Sequence, residues 1–353
     1  MFQQGLELIT SPRLTLKQKY RVLRWFFYSQ ILGRDIIRSV EVIHTLLCNA
    51  RCRFCSNEKL SESQPQMSSE QVKMILDKLA AYGVPAVIFL GGESLTDKNF
   101  FSYLHYARQQ GIITLLQTNG IALNQSIIKR LADAGLFKIT ITLHDTLSEK
   151  HNNIVNRPGA LETILAALPL LKKEGIKIDL KTIYSRDSVS TGAFGRILAL
   201  AQKNGISLNV NPFMPVGRGL KETSMFSDKE KESYLHITST DRIITTHTKN
   251  EYGDHGPAGR EYLGITPDGE ILPCYFLPVS VGNIKDTDIA TAQKRALALG
   301  IFQKGATSCI VAMNNDFYKN IIQELYSGRF ILPVRVYENS ELQQKFSRFS
   351  QSL

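Results

Sequence analysis

Between residues 42 and 212, short apolar or alternating segments are interleaved with helical patterns. Six segments read as strands, at 42–46, 86–90, 112–117, 138–143, 177–183 and 207–211, each too short for a helix core. Strand and helix in regular succession imply parallel pairing through crossover helices. The helices carry their own punctuation. Ser68 and Gln71 form a capping box ahead of Val72, Ile75, Leu76, Leu79 and Ala80, which share one face, and Gly83 stops the helix. Pro158 suits the first turn of a pattern made by Leu161, Ile164, Leu165 and Leu168, with Lys172, Lys173 and Gly175 at its end.

The strand faces are unequal. Ile139, Ile141 and Leu143 alternate with Thr140 and Thr142, Ile176, Ile178 and Leu180 with Lys177, Asp179 and Lys181, and Leu208 and Val210 with Asn209 and Asn211. A closed eight-stranded barrel fills its interior with branched apolar side chains, so polar inner faces point to an incomplete barrel around a polar ligand. The expected fold is α/β, an incomplete (β/α)6 TIM-like barrel, with an open doubly wound sheet as the alternative. Either places ligands at the C-terminal strand ends.

The pattern changes at both ends of this region. Residues 17–38 combine Trp25, Phe26, Phe27, Tyr28, Ile31 and Leu32 with Lys17, Lys19, Arg21, Arg24, Arg34 and Arg38, the composition of a basic amphipathic helix. Docking against the barrel, as ordinary core, is favoured over a peripheral membrane contact. After Gly219 a polar stretch, 221–254, leads to a hairpin-like pair around Pro267, Asp268 and Gly269. The chain thus divides into a helical extension (1–40), a barrel core (41–219) and a small C-terminal module containing a β-hairpin (220–353).

With 43% hydrophobic and 21% charged residues, and no apolar run near the roughly 18 residues of a transmembrane helix, disordered and membrane-spanning classes are excluded. The net charge of +10 favours an anionic partner, although no nucleic-acid partner is expected. The N-terminus lacks the basic start and apolar stretch of a signal peptide, and five cysteines is an odd count. Both point to a reducing compartment. A cytoplasmic protein is expected, peripheral to the inner membrane face if the basic helix meets lipid.

Three of the cysteines, Cys48, Cys52 and Cys55, fall within eight residues directly after the first expected strand. Structural zinc normally takes four ligands, whereas an iron–sulfur cluster held by three thiolates leaves one iron open. His44 would complete a zinc site but reads as a packed strand residue. The run CNARCRFC, with Phe54 before its last cysteine, stands with Gly91, Gly92 and Glu93 at the end of the second strand and Gln117, Thr118, Asn119 and Gly120 after the third. This set resembles the radical S-adenosylmethionine (radical SAM) enzymes over roughly residues 42–219.

The resemblance implies a 4Fe–4S cluster on the three cysteines, with the methionine amine and carboxylate of SAM on the open iron. It further implies a one-electron donor such as flavodoxin or ferredoxin, and cleavage to a 5′-deoxyadenosyl radical that removes a substrate hydrogen. Gly91 and Gly92 would let backbone approach the SAM amine, with Glu93, Phe54, Thr118 and Asn119 nearby. Thr142, in the TLHD segment, and Arg157 are assigned to the SAM carboxylate, with a place at its helix start as the alternative for Arg157; Asn211 and Met214 are candidates for ribose and adenine, with core packing an equal rival. Where the family usually continues GGE with Pro-Leu, this chain has Ser94 and Leu95. His144, Asp145 and His151 read as a naturally polar strand-end loop, since hydrogen abstraction needs no acid or base. Lys177, Asp179 and Lys181 either meet an anionic substrate or pair among themselves.

The segment 258–286 resembles the SPASM/twitch-like hairpin module that follows the barrel in the MoaA, PqqE and sulfatase-maturase branch. Relatives there hold auxiliary clusters through several cysteines. Here only Cys274 and Cys309 remain, with His255 or Gly256 upstream, so a cap without its metal is expected and an unusual cluster completed by His255 is the alternative. The resemblance implies an enzyme acting on a peptide or small natural product. The alternatives are an adenosyl-transferring or lipid-modifying enzyme, similar to the hopanoid-pathway radical SAM protein, and a non-catalytic metal-binding scaffold.

Overall fold

The computed structural model describes residues 8–58, 60, 65–221, 225–246, 258–302 and 309–351. All six expected strands form: β1 (Ser39–Thr45), β2 (Ala86–Gly91), β3 (Ile113–Thr118), β4 (Lys138–Thr142), β5 (Lys177–Tyr184) and β6 (Ser207–Pro212). They pair in parallel in strict chain order, β1 with β2 through β5 with β6. A doubly wound sheet reverses its strand order part-way, and this one does not. The architecture is therefore the incomplete barrel. The sheet is longer than six strands, however. Beyond β6 lies β7 (Ile244–Thr245), and on the other edge β8 (Tyr262–Ile265) runs parallel to β1, with β9 (Ile271–Leu272) antiparallel to β8. The C-terminal hairpin is thus built onto the barrel sheet, and β1 begins at Ser39, not 42, because Ser39 to Val42 also pairs with Tyr262 to Ile265.

The helices of the extension, the barrel and the segment after it include α1 (Leu16–Phe26), α2 (Ser69–Tyr82), α3 (Phe100–Gln109), α4 (Gln125–Asp133), α5 (Ser148–Val155), α6 (Ala160–Lys173), α7 (Ala193–Asn204) and α8 (Asp228–Thr240), and the C-terminal module adds Ile289–Ala298 and Ser340–Gln351 among others. The box that starts α2 is present: the Ser68 hydroxyl accepts from the Gln71 N–H at 3.2 Å, and the Gln71 amide oxygen accepts from the Ser68 N–H at 2.7 Å. Pro158 stands outside α6, because Gly159 takes φ +76° and the helix starts at Ala160. Helix α8 occupies part of the expected polar stretch 221–254, of which residues 222–224 and 247–254 lie outside the described residues. It buries only Tyr234 and Thr238, so no apolar stripe announces it.

The outer strand faces, with Val42, Phe89, Leu116, Ile141, Leu180 and Val210, pack in the main core with helix residues such as Leu76, Leu104 and Ile164. His44 belongs to this layer. It is fully buried against Phe100 with ring centroids 5.5 Å apart, and burial holds its pKa down to about 4, so it is a neutral packed residue. The inner faces carry Glu41, Gln117, Thr140, Asp179 and Lys181. Asp179 pairs with Lys138 at 2.7 Å, and Lys181 donates to Gln117 at 3.0 Å. Lys177 lies over the ring of Phe137 instead.

Helix α1 closes the N-terminal end of the barrel. Gln18 donates to the carbonyl of Ile112 at 2.9 Å, and Arg21 to those of Ala80 at 2.9 Å and Gln110 at 3.1 Å. Leu14 and Val22 pack with Ile113, Leu115, Ala86 and Phe137. The expected docking is real, but only part of the apolar set takes part. Trp25 is buried while Phe27, Ile31 and Leu32 are exposed.

Arg21→Ala strips two carbonyls of their donor and should cost about 1–3 kcal/mol of stability. Leu23→Ala, two residues on and on the exposed side of the helix, should change stability by less than about 0.5 kcal/mol. Urea denaturation midpoints of the two variants check this contrast.

Candidate active site

The loop after β1 carries the three clustered cysteines, and their placement follows from how its backbone is tied down. The N–H groups of Arg51 and Arg53 donate to the carbonyls of Val155 and Ile154 at the end of α5, each at 3.0 Å. The carbonyl of Cys55 accepts from the N–H of Arg218 at 3.0 Å. Asn57 donates to the carbonyl of Gly91 and accepts from the Tyr275 hydroxyl, which ties the loop to β2 on one side and to the C-terminal module on the other. Cys48, Cys52 and Cys55 consequently line one cavity of about 310 Å³ at the C-terminal ends of the strands. Their sulfurs sense one another: the Cys52 thiol is pushed up to about 12 by burial, then by Cys55 and Cys48. Cys48 Sγ also accepts from the Ala50 N–H at 3.4 Å and the Asn119 amide at 3.7 Å. Among the described residues no group of three or more His, Cys, Asp or Glu side chains is arranged to hold a single metal ion.

Gly91 and Gly92 form the adjacent wall. Gly91 has φ +143°, and a Cβ on Gly92 would lie 2.1 Å from the carbonyl oxygen of Leu47, so only glycine lets β2 end this close to the cysteine loop. Glu93 lies behind that wall, almost fully buried, and is not among the residues that face the cavity. Its carboxylate accepts from the Thr118 hydroxyl, from the Asn119 N–H at 2.8 Å and from the Leu95 N–H at 3.1 Å. Burial pushes its pKa up, opposed by these bonds. What this residue does is clamp the end of β3 to the end of β2.

The remaining expected residues divide by position. Phe54, Thr118, Asn119, Thr142, Asn211 and Met214 all face the cavity. Phe54 packs edge-on against His144 and Phe213. Arg157 lies on an exposed turn between α5 and α6 and is not among the lining residues. His144 does line the cavity, and burial holds it down to about 3; His151 beneath it is held down to about 4. Both are neutral at ordinary pH. Asp145 is used in a paired contact with Arg196, at 2.7 and 2.9 Å. Lys181 and Arg218 supply the positive charge of the lining. Asn57, Tyr275 and Phe276 also line it and carry no local sequence signal beyond lying near Cys55 and Cys274.

Residues 42–185 match the family profile described as the radical SAM superfamily. The chain therefore carries a radical SAM domain. Residues 257–309 match the profile of the SPASM iron–sulfur cluster-binding domain. The AdoMet-dependent heme synthase of Methanosarcina barkeri is 26% identical over 270 residues, covering 68% of this chain and 77% of that one. The PqqA peptide cyclase of Granulibacter bethesdensis is 24% identical over 251 residues, covering 67% of each. Among solved structures, Streptococcus suis SuiB bound to precursor peptide SuiA superposes with a TM-score of 0.59 at 15% identity, over 84% of this chain and 70% of that one. The enzyme anSMEcpe with bound AdoMet and a Cp18Cys peptide gives 0.59 at 15% identity, over 89% and 99%. At that identity the likeness is one of fold.

The cofactors of this radical SAM enzyme are an iron–sulfur cluster and SAM. The three-cysteine loop fits a cluster: three thiols share one cavity, and the sulfur of Cys48 has N–H donors beside it. The C-terminal module does not fit a second, four-cysteine one. Its two cysteines are the last in the chain, since the total is five. Cys274 is buried and accepts from the Tyr262 hydroxyl at 3.7 Å, and Cys309 lies 3.9 Å from Met214 Sδ. Burial pushes these thiols up to about 11 and about 12, as in packed neutral cysteines. His255 and Gly256 lie outside the described residues.

Glu93→Ala leaves the Thr118 hydroxyl and two backbone N–H groups without their acceptor and should destabilise the fold by on the order of 3 kcal/mol. Glu93→Gln keeps the shape and an acceptor oxygen and should cost less. Chemical denaturation of both variants reads the difference; equal loss would mean that charge, not acceptor geometry, is what the clamp needs.

Proposed function

We propose that Cys48, Cys52 and Cys55 hold a 4Fe–4S cluster, and that the cavity beside them binds SAM together with a peptide or small natural product from which a hydrogen is removed. The observation that carries this reading is the convergence of three thiols and the Gly91–Gly92 wall on one cavity. Three thiols on one wall suit a cluster with one iron left open, where structural zinc normally takes four ligands. When bound, the cluster and SAM supply one-electron cleavage and hydrogen-atom abstraction.

The chain's own groups do the rest. Gly91 and Gly92 let backbone carbonyls approach the SAM amine, and Glu93 fixes Thr118 and Asn119 against the cavity without touching it. Thr142 and Asn211 offer polar atoms from β4 and β6. For Arg157 a SAM contact rests on the family resemblance alone. Phe54, Phe213, Met214 and Phe276 surround the site with apolar surface that limits water, which matters for a reactive radical. The names of the PqqA peptide cyclase and of the SuiB complex with a precursor peptide support a peptide substrate, and that of the heme synthase a small molecule. The electron comes from a flavodoxin- or ferredoxin-type donor.

Anaerobic cluster reconstitution followed by dithionite and SAM tests this. Wild type should hold about four irons per chain and release 5′-deoxyadenosine, and a Cys48/Cys52/Cys55→Ala variant should lose both. About eight irons, with about four surviving in the variant, would restore a second cluster at Cys274 and Cys309. Zinc in place of iron, with no SAM cleavage, would overturn the enzymatic reading in favour of a metal-binding scaffold.

A further inference from the structure

Helix α1 and the single π-type turn after it, Phe27–Ile31, present two unlike faces. One face docks: Gln18, Arg21, Val22 and Trp25 are buried against the barrel. The opposite face is apolar and bare. Leu16, Tyr20, Leu23 and Phe27 fall within roughly a 60° sector at 3.6 residues per turn. Ile31 continues the stripe, and exposure along it runs from 48% at Leu23 to 85% at Leu16. A helix that merely packs on a barrel buries its apolar side and turns its polar side to water. Here the polar side chains Gln18 and Arg21 are spent on the barrel's carbonyls, and the apolar side faces out.

The charge around the stripe says what covers it. Lys17 and Arg24 flank it on one side of the helix and Lys19 on the other. Lys17 also donates to the exposed carbonyl of Gln109 at 3.3 Å, and Arg24 lies over the ring of Tyr28. From residue 8 to residue 34 the chain carries six basic residues and no acidic one, and two of the six, Arg13 and Arg21, are spent on barrel carbonyls. A second copy docking by the same stripe would bring these cations against their own equivalents with no acid to meet them. An apolar strip bordered by cations on long flexible stems matches the interface of an anionic bilayer, where the stems reach phosphate while the strip enters the acyl boundary. No single helix among the described residues is long and apolar enough to cross a membrane. The association is therefore one of surface contact.

We propose that the stripe Leu16–Tyr20–Leu23–Phe27–Ile31 is a docking face for an anionic membrane surface, and that it holds the enzyme with its cavity directed away from the lipid. The second part follows from position. Helix α1 meets the start of β3 at Ile112 and Ile113, while the cavity is lined by Thr118 at the end of that strand. Six residues of strand separate them, about 20 Å. The proposal is independent of the chemistry assigned to the cavity.

Cosedimentation of the cluster-loaded full chain with vesicles tests it. Wild type should pellet with vesicles of phosphatidylglycerol mixed into phosphatidylcholine, less so as salt rises, and far less with phosphatidylcholine alone. Leu23→Ser combined with Phe27→Ser should weaken binding to the anionic vesicles at least about tenfold. Both positions are exposed, so reductive SAM cleavage and the denaturation midpoint should stay at the wild-type level. Absence of binding to the anionic vesicles would overturn the proposal, as would binding that the double variant leaves intact. A wild-type dimer in analytical ultracentrifugation that the double variant dissolves would assign the stripe to a second copy instead.

Discussion

The inner faces of the barrel strands are polar, and that constraint governs how the rest of the molecule is arranged. A parallel barrel normally packs its centre with branched apolar side chains. Here Lys138 is tied to Asp179 and Lys181 to Gln117, while one carboxylate oxygen of Glu41 is buried without a hydrogen-bond partner. Burial pushes Glu41 up to about 7 and draws Lys181 down to about 8, and each opposes the other's shift. Charges in this state hold an interior open instead of collapsing it, because closing the strands further would remove water from groups that have too few partners. A sheet that stops short of closure leaves room for a ligand, and its two ends must then be managed separately.

At the N-terminal end the solution is a plug. Carbonyls at the ends of α2 and α3 and at the start of β3 receive their donors from Gln18 and Arg21, and Val22 covers Ile113 and Leu115. At the C-terminal end the cover is the hairpin module, joined to the barrel by the β1–β8 ladder and by the Tyr275 hydroxyl on Asn57. Within the module, packing, hydrogen bonds and an ion pair hold the described residues together. Cys274 sits in the main core, Gln293 donates to the carbonyl of Arg260 at 2.6 Å, and Arg335 pairs with Glu270 at 2.7 Å. The module positions Tyr275 and Phe276 over the cavity.

What was legible in the sequence is what local periodicity and short motifs encode. Strands β2 to β6, the Ser68 box and the sharing of one cavity by Cys48, Cys52, Cys55, Gly91, Gly92 and Asn119 belong to that class, since each depends on neighbours within a few residues or on strand ends that parallel winding brings together. What was missed depends on contacts far apart in the chain. The start of β1 is set by Tyr262, more than two hundred residues on, and α8 is held by Tyr234 reaching the carbonyl of Val210; its Ser227–Glu230 capping box is a local signal that stands in a polar stretch without an apolar stripe to follow it. Glu93 is the instructive case. Its position in the motif is local, but its role depends on the hydroxyl of Thr118, which only the β2–β3 pairing brings to it. Arg157 failed to reach the cavity for the converse reason: Gly159 delays α6, and the turn that carries the arginine stays outside.

The separation of the two ends also bears on substrate class. An enzyme that draws a lipid from the bilayer needs its apolar entrance beside the opening of its cavity. The apolar stripe of α1 is at the opposite end of the strands, and the polar interior of Glu41, Lys181, Asp179 and Lys138 lies between the two. A hydrocarbon tail would have to pass these groups, or travel around the outside of the barrel, to reach Phe54 and Met214. The apolar surface of the cavity is continuous instead with Tyr275 and Phe276 of the hairpin module. On the proposed reading, access would lie where the module meets the cysteine loop, and the basic helix would serve location and not catalysis.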